Sequence, residues 1–151
     1  MKTSLTSLPL IRFKAQVGLI SAVLGLALFI LGAAPEWVGL DRSSVVGFVQ
    51  IAVFLIGLGF ITIGGFASLD TLRKGAQRSI AADIGIRLMS TGYVLAVFTG
   101  MADVFGFGSE HMPVAVPYFG FLQTVGVLTG QILIGVGFIL MIPFEQKKLN
   151  Q

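Results

Sequence analysis

The chain has 151 residues, 55% hydrophobic and 11% charged, with a mean hydropathy of +0.94 and a formal net charge of +3. Soluble domains carry about 25% charged residues, so this composition excludes a globule that covers itself with charge. The lack of cysteine excludes disulfides, thiol chemistry and cysteine-ligated clusters within the chain.

Residues 15–35, 43–69 and 112–144 contain no charged side chain. A helix needs roughly 20 apolar residues to cross a hydrocarbon core about 30 Å thick, whereas a barrel strand needs only about 9–11. Backbone groups in lipid must be satisfied internally. These runs, with a further apolar stretch at about residues 84–107, therefore predict an all-α polytopic membrane protein, with four transmembrane helices in an up-and-down bundle that forms a single domain over residues 1–151.

In chain order, the stretch LTSLPLIRFK comes first. Pro9 suits the start of a short interfacial helix, with Arg12 and Lys14 facing headgroups. Span one is expected at about residues 15–34. Its end, LGAAPEW, offers small residues before a signal-peptide cut, but a signal core is only about 7–15 residues long, so the segment reads as a retained span. Span two is expected at about 45–69, and the polar stretch 70–83 follows. Span three is expected at about 84–107 and span four at about 117–144.

The basic residues give the direction. Lys2, Arg12, Lys14, Arg73, Lys74, Arg78, Arg87, Lys147 and Lys148 fall on one side of this topology, and only Arg42 falls on the other. Lys and Arg are retained on the cytoplasmic side, so both termini are expected there. The setting is a bacterial inner membrane or an equivalent energy-transducing membrane. Trp37 and Tyr118 stand where an interfacial aromatic belt belongs. The basic balance is thus a topology signal, and nucleic acid is not an expected partner.

Span three carries Asp103. Asp83 and Arg87 at its start are spaced for a local ion pair. A continuous helix from Arg87 to Asp103 would rise about 24 Å, which puts Asp103 near the outer boundary. There it is an edge residue bonded to neighbouring loop groups. A binding contact and an ion-coupling carboxylate are the alternatives.

Twenty glycines mark where helices could approach closely. Gly92, Ala96 and Gly100 step by four along span three, and Gly126 and Gly130 form a GxxxG in span four. Gly57, Ile61 and Gly65 in span two, and Ser21 and Gly25 in span one, are further seams. These residues are expected to pack helices inside the chain, or to meet a partner.

Spans two and four share G-F-x-Q, at Gly47 and at Gly120, and also I-G-x-G-F-I, with a five-residue insertion in the later span. LALFILGAA in span one resembles VLAVFTGMA in span three. Two related hairpins would have a pseudo-twofold along the membrane normal. Chance likeness of apolar segments is the other reading. Gln50 and Gln123 occupy matching places. Gln131 lies about halfway along span four, where its amide is expected to bond across helices. Contact with a bound lipid, quinone or pigment, or a transport pathway, is left open there.

The sequence offers no paired histidines, metal-ligand spacing or phosphate loop. No cofactor is predicted. His111, alone in GSEHMP, reads as an outer loop residue, with an interface, pigment or metal role as alternatives. The expected function is a non-enzymatic accessory or structural subunit of a larger membrane complex, packing through small-residue helix faces in a lipid bilayer. A small oligomeric transporter or channel is the alternative.

Overall fold

A computed structural model describes residues 7–39, 47–72, 79–102, 104–105 and 120–142. The chain is an all-α four-helix bundle. Its helices are α1 (Ser7–Ala33), α2 (Phe48–Leu72), α3 (Ile80–Gly100) and α4 (Phe121–Met141). All four are long and apolar enough to cross a membrane.

Local chemistry sets the helix ends. α1 begins eight residues before the expected span. It stops at Ala33 because Pro35 opens a 3-10 turn, Pro35–Val38. Gly39 closes that turn at φ 69, donating its N–H to Glu36 O at 3.1 Å, a backbone conformation that glycine adopts without steric cost. Ser79 caps α3 by accepting a bond from Ala82 N at 3.3 Å. α3 ends at Gly100, short of the expected Phe107, as Met101 N turns back to Val97 O and Ala102 N to Thr99 O. The continuous helical rise assumed for Asp103 therefore holds only as far as Gly100, and Asp103 itself lies outside the described residues. Asp83 and Arg87 are both exposed and form no ion pair, so the spacing that permits one is not used.

Packing divides the bundle into two antiparallel hairpins. α1 packs closely on α2, and α3 on α4. In the first hairpin Gly18 faces Gly64 and Gly25 faces Gly57, each pair meeting reciprocally through its carbonyls. A methyl added at Gly25 would lie 2.8 Å from Gly57 O, and one at Gly57 would lie 2.8 Å from Gly25 O. In the second hairpin Gly85 faces Gly137 and Gly92 faces Gly130 in the same way. A methyl at either Gly85 or Gly137 would lie 2.6 Å from the other's carbonyl. Every one of these helices spaces its two glycines seven residues apart, a period that keeps one face on its neighbour along a left-handed seam. The absent side chains let backbones approach and leave room for Cα–H···O contacts, worth about 0.5–1 kcal/mol each.

The hairpins are thus built on one lattice. Gly18 and Gly25 correspond to Gly85 and Gly92, and Gly57 and Gly64 to Gly130 and Gly137, with no insertion in either helix. This register also keeps Gln50 against Gln123. It differs from the I-G-x-G-F-I match, which pairs Gly57 with Gly135: Gly57 presses on the Phe29 backbone, whereas nothing lies within 4 Å of a methyl at Gly135. The lattice likewise sets Gly32 against Thr99, not Gly100 as the textual match does.

A thinner joint connects the hairpins, running from α2 to α3 and α4. Tyr93 lies over Gly59 and donates its hydroxyl to Leu55 O at 3.4 Å. Phe138 covers Gly65. Leu55, Leu58, Met89 and Ile134 fill the space between. Among the described elements α1 touches neither α3 nor α4. The outer faces carry exposed aliphatic and aromatic side chains, including Leu24, Val94, Phe98 and Ile132. A water-facing bundle would carry charge there. The chain is a polytopic four-helix integral membrane protein.

Candidate membrane-embedded cleft

Where α1 and α3 end and α2 and α4 begin, the two hairpins leave a half-open cleft of about 270 Å³. It forms because α1 and α4 do not meet. Gly32 and Gly100 contribute no side chains to it, and Phe54, Ile51 and Leu128 give it apolar walls. Phe54 is held by the close approach of its backbone to Gly32 and by the Phe29 ring, 4.6 Å away between centroids.

Among the described residues three polar side chains line the cleft: Gln50, Thr124 and Gln131. Thr124 Oγ1 donates to Gly120 O at 3.1 Å, which leaves the hydroxyl oxygen able to accept. Gln50 and Gln131 are half-buried and make no hydrogen bond among the described residues. The inter-helix bond expected of Gln131 is therefore not formed, and its amide fronts the cleft. Gln131 follows Gly130, so its side chain is turned roughly 100° off the α3–α4 seam. Gln50 lies seven residues before Gly57, on the same stripe of α2 as Gly57 and Gly64, and reaches the cleft where α1 runs out.

Gln123 holds the equivalent place in α4 and behaves differently. It is 4% exposed, and its Oε1 accepts from Gly120 N at 2.7 Å, capping α4. Its Nε2 is buried with no hydrogen-bond partner among the described residues. Of these two amides, one thus lines the cleft and the other caps its own helix.

The remaining predicted residues are distributed as follows. Gly92, Ala96, Gly126 and Gly130 lie in the α3–α4 seam, Gly126 against the Thr99 side chain and Gly130 against Gly92 O and Ala96. Gly100 faces Leu55 and Val127, at the edge of the joint between hairpins. His111, like Asp103, lies outside the described residues. The pairing of Gln50 with Gln131 across the cleft is a feature that the sequence reading missed. The signal was present: Gln50 continues the seven-residue glycine stripe, but matching the shared G-F-x-Q motif draws attention to Gln123 instead.

Several hydroxyls elsewhere in the spans bond to carbonyls of their own helices. Thr62 donates to Leu58 O at 2.7 Å, Thr99 to Leu95 O at 2.8 Å and Thr129 to Val125 O at 2.7 Å. Ser68 and Ser90 do the same toward Gly64 O and Ile86 O. Among the described residues no group of three or more His, Asp or Glu side chains is arranged to hold a metal. Comparisons with protein-family models, curated proteins and solved structures find no match to this chain.

Proposed function

We propose that the chain is an accessory or structural subunit of a larger membrane protein complex. The observation that carries this reading is the flank of α1. Among the described helices it packs on α2 alone, and its remaining surface is exposed and uncharged from Ala15 to Ala33, with Leu19, Ile20, Val23 and Leu24 outward. A helix hydrophobic all round, with one side packed, leaves a long face for lipid or another helix. The glycines at the hairpin seams are meanwhile occupied within the chain, and Thr62, Ser90, Thr99 and Thr129 bond to carbonyls of their own helices. This composition suits a packing element better than an aqueous path.

The test is extraction in mild detergent followed by native mass analysis, with a photo-crosslinking residue at Leu24. The expected result is a heteromeric particle of fixed stoichiometry and a crosslink from Leu24 to its other subunit. The same residue at Ile132 on α4 should give a different crosslinking pattern. A particle containing only copies of this chain, with ion or solute flux in proteoliposomes, would replace this reading with the transporter or channel.

A further inference from the structure

We propose that the cleft between the hairpins binds an uncharged amphiphile with a planar, carbonyl-bearing head, a quinone ring on an alkyl or isoprenoid tail. The amides indicate a polar ligand. Gln50 and Gln131 face one cavity and have no hydrogen-bond partner among the described residues. Each offers two N–H donors and a carbonyl acceptor. In hydrocarbon such groups are costly to leave unmade, so the cavity favours an occupant that bonds to them.

The lining sets the ligand's charge and shape. Among the described residues no charged side chain lines the cleft, which disfavours a phosphate or carboxylate head. Phe54, backed by Phe29, offers a flat aromatic wall on which a planar ring can lie offset. The volume of about 270 Å³ lies just under the range of small-molecule sites, about 300–1,000 Å³, and fits a single ring head with the tail outside.

Depth separates a quinone from a glycerolipid. The cleft opens at the helix ends beside Gln50, two residues inside the start of α2, and its deeper amide, Gln131, stands ten residues inside the start of α4, or about 15 Å along the axis. That is near the middle of a core about 30 Å thick. An ester carbonyl tied to a phosphate headgroup stays at the interface, whereas a neutral ring travels with its tail into the hydrocarbon. The gap between α1 and α4 gives such a molecule access from the bilayer, without passage through water.

Binding can be read on the full chain in detergent or nanodiscs, independently of the subunit reading. Trp37 is the only tryptophan and lies five residues beyond Gly32, so it reports on this end of the bundle. A short-tailed benzoquinone should quench it saturably and remain bound in stoichiometric amount after gel filtration, as read by mass spectrometry. Gln131→Leu should raise the apparent Kd on the order of tenfold, in the range of a lost hydrogen bond. The Gln50→Leu/Gln131→Leu pair should abolish saturation while helicity and elution volume stay at the wild-type values. If Gln131→Leu does not fold, Leu128→Phe, which narrows the cleft from a half-exposed position, replaces it. Quenching that rises linearly and equally in all variants would overturn the proposal, since it reports partition alone. Displacement of the quinone by a diacylglycerol of equal tail length, as readily as by unlabelled quinone, would overturn the assignment of the head.

Discussion

At the scale of the residue, the glycines of α4 separate into two kinds that composition alone treats alike. Gly130 presses on Gly92 O and Ala96, whereas nothing lies within 4 Å of a methyl added at Gly135. Alanine should therefore have opposite effects five residues apart on one helix. Gly135→Ala gains helix propensity, up to about 1 kcal/mol, and should leave stability unchanged or raised. Gly130→Ala forces two backbones apart and should cost about 1–3 kcal/mol, as overpacking does elsewhere. Thermal denaturation in one detergent, followed by circular dichroism, checks both. Equal melting temperatures for the two variants would contradict the close seam.

The element scale shows how far the sequence was legible. Three of the four spans follow from charge-free runs, and the other from an apolar stretch between Arg87 and Asp103, since the hydrocarbon thickness fixes a minimum length that few other structures need. Their ends do not, because hydropathy is indifferent to capping: Ser79 starts α3 earlier than the apolar run does, and the turn after Gly100 ends it earlier. The seams were partly legible. A four-residue spacing draws the eye to Gly126 and Gly130, but the pairs that bring the backbones together are seven apart, Gly130 with Gly137 and Gly57 with Gly64. The cleft was least legible, because an amide's surroundings depend on which helices fail to meet, and no single helix records that.

Two substitutions in α2 should separate the elements' roles. Gly57→Leu meets the backbone of α1 and should disrupt the first hairpin. Gly59→Leu meets the Tyr93 side chain first and should loosen α3 from α2 while α1 stays paired. Disulfide trapping between cysteines placed along α1 and α2, then along α2 and α3, reads the two cases. Loss of α1–α2 crosslinking in Gly59→Leu would show that the joint and the seam are not separable.

At the scale of the whole molecule, the basic asymmetry predicts that residues 70–83 face the cytoplasm and residues 35–44 the other side. The native chain has no cysteine, so single cysteines at Glu36 and Ser79, both exposed, give an unambiguous readout with an impermeant thiol reagent in sealed vesicles. Glu36→Cys should label from the non-cytoplasmic face and Ser79→Cys from the cytoplasmic one. Labelling of both from one face would refute the assigned topology.

The thin joint between the hairpins also bears on how the protein comes apart. Each hairpin is closed by reciprocal glycine contacts along its length, whereas the two hairpins meet through a few side chains, Tyr93, Phe138 and Leu55 foremost. A structure with seams of such unequal strength need not unfold in one step, and its parts should open as separate cooperative units. In a denaturant titration, fluorescent labels on α1 and α4 should move apart at a lower concentration than the one at which helicity falls. Labels on α1 and α2 should separate only with the helices themselves. Coincidence of all three transitions would mean that the joint is as strong as the seams. The expected sequence leaves an intermediate of two intact hairpins, and during synthesis the first of them can close on Gly25 and Gly57 before the second has been made.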